Sequence, residues 1–269
     1  LETNTHIDQL GRRVKIPFPP RRIVSLVPSQ TELLSYLGLT TEVVGITKFC
    51  VHPDEWFREK TRIGGTKKLH LDQIRALAPD LIIANKEEND PQQVKVLMEE
   101  FPVWVSDIHT LADAQEMISS IGVITGTSEV ALQLNKQISE EFSTLTGPGQ
   151  LKTAYFIWKD PWMVAGGDTF IHEMMKLSGL ENVFAGLSRY PEVTLAELQA
   201  TDCQLILLSS EPYPFKEKHI AELQELLPAS KILLVDGEMY SWYGSRLLYA
   251  PAYFRSLFPP ETVKSTKTL

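Results

Sequence analysis

The chain has 269 residues, of which 43% are hydrophobic and 22% charged, and its formal net charge is −8. That length supplies one or two domains with a buried core in each, in an ordinary globular composition. The acidic balance argues against nucleic acid as the main partner, because phosphate binding needs clustered Lys and Arg. No apolar run reaches the roughly 18 residues that a membrane helix needs.

Residues 22–27 (RIVSLV) read as an apolar strand stopped by Pro28 and Ser29. The stretch SQTE at 29–32 has the S-x-x-E pattern of a capping box. It predicts a helix over 30–37, with Leu33, Leu34 and Leu37 on one face and Gly38 as its stop. Strands follow at 42–46, 80–84 and 102–105, with helices near 71, at 91–100 and at 111–121. This alternation predicts a largely parallel α/β sheet. Residues 127–142 contain neither Gly nor Pro and predict a helix of about 16–20 residues, about 24–30 Å long. Such a helix is long enough to cross from one domain to another. Strands at 152–158, 162–166, 204–209 and 231–236 follow, with a helix at 169–177.

Residues 71–88 (LDQIRALAPDLIIANKEE) and 195–212 (LAELQATDCQLILLSSEP) repeat one pattern: a short amphipathic helix, then an apolar strand ending in small and polar residues. Internal similarity of this kind predicts two lobes of related construction. The expected fold is α/β, two Rossmann-like lobes joined by a long rigid helix, with a ligand cleft between them. The expected boundaries are 1–126 for the N-terminal lobe, 127–147 for the connecting helix and 148–269 for the C-terminal lobe. Cys50 and Cys203 fall one in each lobe and read as reduced or packed rather than as a disulfide.

The segments DQLGRRVKIPFPPRRIVSLVPSQTELLSYLG (8–38), GITKFCVHP (45–53), RIGGTKKLHLDQIRALAPDLIIA (62–84) and SGLENVF (178–184) resemble a known family. It is the helical-backbone (class III) periplasmic substrate-binding proteins of ABC importers, which carry cobalamin, haem and iron–siderophore complexes. The cobalamin-binding branch is the most similar. The resemblance implies capture of a metal-containing macrocycle or chelate, cobalamin first, with an iron–siderophore, haem or bare-metal receptor as the alternative. It implies a monomer, periplasmic or lipid-anchored outside the cytoplasm, that delivers its ligand to an ABC permease. A gene start lacking a secretion signal would instead favour a cytoplasmic binding or sensing protein of the same fold. The family docks on its permease through one acidic residue per lobe. Asp72 falls at the first position, while the second lands on Ala196 with Glu197 next to it. Glu197 also completes a capping box with Thr194.

Flat ligands of this kind are held by aromatic stacking and a few orienting polar groups. Phe49, Trp158, Trp162, Tyr213, Trp242 and Tyr243 stand at predicted strand and helix boundaries. SWYGSR (241–246) is the leading candidate, with Ser245 and Arg246 meeting the ligand's polar rim; a packed helix start is the other reading. Pro28, Ser29 and Glu211 are further candidate contacts after strands, and Lys67, in the GGTKK stretch before the helix near Leu71, is a candidate for a carboxylate or phosphate, with an exposed lysine as the other reading. Cys50 and His52, two apart, lie on one side of an extended segment and are weighed as metal ligands, although a bare ion needs three or four. Neither a nucleophile elbow nor a phosphate-cradling or dinucleotide-binding glycine motif is present, so the expectation is a binder with no catalytic cofactor, not an enzyme.

Overall fold

A computed structural model describes residues 2–258. It divides into two compact units, Leu1–Ile108 with Ala112–Ile138 and Trp242–Arg246, and His109–Leu111 with Ser139–Ser241 and Leu247–Leu269. In the first unit the elements run β1 (Glu2–Ile7), β2 (Arg13–Phe18), β3 (Ile23–Ser25), α1 (Pro28–Tyr36), β4 (Val43–Ile46), α2 (Asp54–Glu59), β5 (Thr61–Arg62), α3 (Leu71–Leu77), β6 (Leu81–Asn85), α4 (Pro91–Glu100) and β7 (Val103–Ser106). Then come α5 (Leu111–Thr125) and α6 (Ser128–Ser143). The second unit carries β8 (Leu151–Trp158), β9 (Met163–Val164), α7 (Phe170–Leu177), β10 (Leu180–Asn182), α8 (Leu195–Gln199), β11 (Leu205–Ser209), α9 (Glu217–Leu226), β12 (Lys231–Val235), α10 (Glu238–Ser241) and α11 (Ala250–Leu257).

Each unit is built on its own parallel sheet. The first has the order β5-β4-β3-β6-β7, the second β10-β8-β11-β12 with β9 antiparallel on β8. A separate antiparallel pair, β1 with β2, precedes the first sheet. The central strands β6 (LIIAN) and β11 (LILLS) are buried along their whole length. Helices covering both faces of a parallel sheet produce such continuous apolar runs. In the second unit, Phe156, Leu198, Ile206, Leu208, Leu223 and Ile232 form the middle of one core cluster. Among the described residues, no helix is long and apolar enough to cross a membrane.

The capping box expected at 29–32 does not form. Helix α1 starts two residues earlier than predicted, with Val27 as its N-cap, Pro28 in the first turn and no side-chain cap bond. Proline is pre-set for that position because its ring fixes φ and its missing N–H is not needed there. Ser29 therefore lies inside the first turn, and Glu32 is released for a different partner. Gly38 ends the helix as expected, in the left-handed region at φ 81°. Helix α6 runs 16 residues, and the division between the units falls within it, after Ile138.

Candidate ligand-binding surfaces

In an open parallel sheet, ligands bind outside the carboxyl ends of the strands where the winding reverses, because successive loops there leave on opposite faces and open a crevice. The winding of the first unit reverses between β3 and β6, and that of the second between β8 and β11. Pro28 and Ser29 follow β3, and Glu87 and Glu88 follow β6. Trp158 ends β8, while Glu211 and Tyr213 follow β11. Both reversals thus collect residues named from the sequence.

The reversal of the first unit is covered by Trp242–Arg246. The Tyr243 hydroxyl donates to Glu88 Oε1 at 2.5 Å. Arg246 donates through Nε and Nη2 to the two carboxylate oxygens of Glu32, at 3.0 and 2.5 Å. Its guanidinium also lies 4.9 Å from the Trp242 ring centroid, and that ring meets His52 edge-on at 5.6 Å. Gly244 is set so close to α1 that a Cβ on it would stand 2.9 Å from the Ser29 carbonyl oxygen. Trp242, Tyr243 and Ser245 are only 6%, 5% and 2% exposed. Burial, with the Glu88 carboxylate close by, pushes the Tyr243 phenol well above its ordinary range, so it stays a donor. Four side chains expected to meet a ligand are therefore packed on the first unit, and Tyr243 and Arg246 are engaged with its carboxylates.

Polar groups beneath this segment fix the strand-end loops. Asn89 accepts from the Asn85 amide at 2.8 Å and donates to the Leu26 carbonyl at 3.1 Å, tying β6 to β3. Lys67 Nζ donates to the Glu87 carbonyl at 2.6 Å, which makes Lys67 a brace between two loops. The Cys50 sulfur lies 3.0 Å from the Thr31 hydroxyl and 3.1 Å from that of Thr47. Burial pushes its thiol up, away from the thiolate that a metal would need. Among the described residues, no three His, Cys, Asp or Glu side chains gather to hold a metal ion. Phe49, which precedes Cys50, is 51% exposed, with Lys48 Nζ 4.9 Å from its ring centroid.

The reversal of the second unit carries an aromatic cluster that runs from exposed Trp158 through partly buried Tyr213 and Trp162 to Phe215 and Phe156 in the core. Trp158, 40% exposed, meets Tyr213 edge-on at 5.5 Å, and Tyr213 leans on Phe215 at 4.7 Å. Phe215 lies parallel to Trp162 at 6.2 Å, and Trp162 takes the edge of Phe156. Behind Tyr213, the buried His219 places Nε2 at 3.4 Å from the phenol oxygen and accepts the Lys216 amide at Nδ1, 2.9 Å away. The Ser241 hydroxyl donates to Glu211 at 2.9 Å, holding the loop after β11 to α10. His219 and Glu32 escape sequence reasoning. Only the N3 position of His219 after a loop lysine signals its capping task, and Glu32 carries no signal at all for a partner 214 residues away.

Asp72 stands in the first turn of α3 with its side chain 97% exposed and Arg75 Nη1 2.9 Å from it. Glu197 completes the capping box of α8: its carboxylate accepts the Thr194 amide at 2.7 Å, and its own amide donates to the Thr194 hydroxyl at 3.2 Å. Those bonds from Thr194 hold the Glu197 carboxyl below its ordinary range.

Residues 23–229 match the family model of the periplasmic binding protein. The chain belongs to the periplasmic binding protein family. It is 24% identical over 242 residues to the vitamin B12-binding protein of Pectobacterium carotovorum subsp. carotovorum (strain PC1), a match that covers 86% of each chain. Among solved structures, it is similar to the periplasmic vitamin B12 binding protein BtuF of Vibrio cholerae, with a TM-score of 0.77, 23% identity, and 89% of this chain and 97% of that one covered. It is also similar to the periplasmic haem-binding protein BhuT in complex with two haems, with a TM-score of 0.76, 18% identity, and coverage of 88% and 96%. At these identities the two structures establish the fold. Family membership bears out the expectation of a substrate-binding protein of the ABC-importer kind rather than an enzyme.

Proposed function

We propose that this periplasmic binding protein captures a cobalamin for an ABC importer. The observation that carries the ligand class is the exposed Trp158 face, set against the partly buried Tyr213 at the winding reversal of the second unit. Such a surface suits a flat ligand with a large apolar face, since aromatic contact rewards area and tolerates a weakly charged rim. The 24% identity with a vitamin B12-binding protein supports cobalamin over other flat ligands. In this reading the contact of Trp158 with Tyr213, and of Tyr213 with buried Phe215, keeps the surface formed before the ligand arrives. A pre-formed site spends little on ordering.

Delivery is to a permease, with exposed Asp72 on α3 and Glu197 on α8 as the docking carboxylates, and the protein works as a monomer outside the cytoplasm. Calorimetric titration with cyanocobalamin, haemin, a ferric siderophore and zinc tests the ligand. Cyanocobalamin binds, and Trp158→Ala weakens it by about threefold to tenfold, the worth of one aromatic contact. Binding of haemin or zinc with no response to cyanocobalamin would replace this reading.

A further inference from the structure

His219 is buried, at 3% exposure, in the first turn of α9. Both of its ring nitrogens are committed. Nδ1 accepts the Lys216 backbone N–H at 2.9 Å, so its lone pair is in use and the proton of the neutral ring sits on Nε2. Nε2 then faces the Tyr213 phenol at 3.4 Å. The ring also fits edge-on between Tyr213 and Phe215, at 5.5 and 5.4 Å between centroids. Tyr213 in turn supports Trp158. His219 thus does the work that Glu or Gln does at the third position of a capping box, reaching back to the amide that opens the helix.

We propose that His219 is a positioning residue for the aromatic surface of the second unit, and that it holds Tyr213, and through it Trp158, only while its imidazole is neutral. This rests on the reading of that surface as the ligand site and adds its regulation by acid. A second proton has only Nδ1 to go to, and there it meets the Lys216 N–H head-on, so the cap bond cannot survive. The positive ring would also lie at the N-terminus of α9, the end of a helix that disfavours cations. The charged groups around it are Lys216 in the preceding loop, Glu217, Lys218 and Glu222 on α9, and Lys159 from the turn between β8 and β9. Lys218 and Lys159 oppose protonation. Glu222 favours it, but that carboxylate is already paired with Lys159. Burial first, then the two lysines, lower the His219 pKa from its ordinary value of 6.5. The folded chain therefore takes up this proton later than the unfolded one. Its stabilising contribution is complete above 6.5 and is lost as pH falls through the lowered folded value.

The test reads tryptophan fluorescence of the unliganded protein from about pH 7.5 to about pH 4.5, alongside cyanocobalamin affinity. The wild type shows a reversible emission step below pH 6.5, and Trp158→Phe removes most of its amplitude. His219→Gln keeps the cap bond without the titration, so it abolishes the step while retaining the neutral-pH emission. His219→Ala shows the acid-form emission at every pH. Cyanocobalamin affinity falls by about threefold to tenfold across the step in the wild type and stays level in His219→Gln. A step that persists in His219→Gln, or no step in the wild type, overturns the proposal. Absence of cyanocobalamin binding at every pH would overturn the ligand reading instead, and the fluorescence step would still decide the role of His219.

Discussion

Replacing Arg246 by Ala removes both bonds to Glu32 and the cation over Trp242. The two side chains are 12% and 19% exposed, so the pair is neither solvated nor fully buried. Breaking a buried pair costs about 3–5 kcal/mol, because the remaining charge stays desolvated, whereas an exposed pair contributes about 0–1 kcal/mol. Residual exposure places this one between those limits, at about 2–3 kcal/mol. Loss of the cation–π contact adds about 0.5–1 kcal/mol. Urea unfolding of Arg246→Ala, Glu32→Ala and the double variant measures the coupling directly. The double variant is expected to be destabilised by much less than the sum of the single ones, because Glu32→Ala removes the charge that Arg246→Ala strands. A hydrophobic pair of similar volume, Arg246→Met with Glu32→Leu, recovers most of the loss. Strict additivity of the two alanine variants, or a loss below about 1 kcal/mol for Arg246→Ala, would show that the segment is not anchored by this pair.

Thiol reactivity follows from burial. Burial pushes the thiol of Cys50 up and that of Cys203 up to about 11, so both remain protonated and shielded. Ellman's reagent at mildly alkaline pH should find neither thiol in the folded protein and both after urea; rapid reaction of Cys50 before unfolding would contradict its packing. The capping box of α8 sets an acid limit: the folded Glu197 carboxyl releases its proton below the ordinary value of 4.5, so its contribution is complete above that value and is lost as pH falls through the lowered one. Glu197→Gln keeps the box but cannot titrate, so its melting temperature should fall less steeply with acid than that of the wild type. Parallel acid profiles would argue against the box.

The elements most legible in the sequence were those with a strong apolar run or period. LIIA and LILL each became central buried strands, because a strand covered on both faces has no polar side to disguise it. The helix over 128–143 stood out because nothing in it interrupts the pattern. The opening hairpin ETNTHI with RVKIPF was not read, since its first strand is polar and half-exposed and only its second carries apolar alternation. At α1 the local signal misled: S-x-x-E fits a capping box, but Pro28 suits the first turn and won. The aromatic residues at strand ends were found, but their partners were not. Whether Trp242 faces a ligand or packs against His52 depends on contacts across some 190 positions of chain, which no local pattern encodes.

The partners of Glu32 and Glu88 bear on what the protein can select. Both carboxylates stand beside the winding reversal of the first unit, where bare charges would attract cations and repel an anionic rim. Arg246 balances the first, and the Tyr243 hydroxyl satisfies the second. Their bonding needs are therefore met from within the chain, and the contact proposed at Trp158 would select for apolar area rather than charge. Ligand affinity should then depend little on ionic strength. Raising salt from about 0.05 M to about 1 M shortens the screening length from over 10 Å to about 3 Å and would sharply weaken a ligand held by exposed charges. Cyanocobalamin binding is expected to change by less than about threefold over that range, and slightly toward tighter binding if apolar burial dominates. A loss of an order of magnitude would mean that charged side chains, not the Trp158–Tyr213 surface, carry recognition.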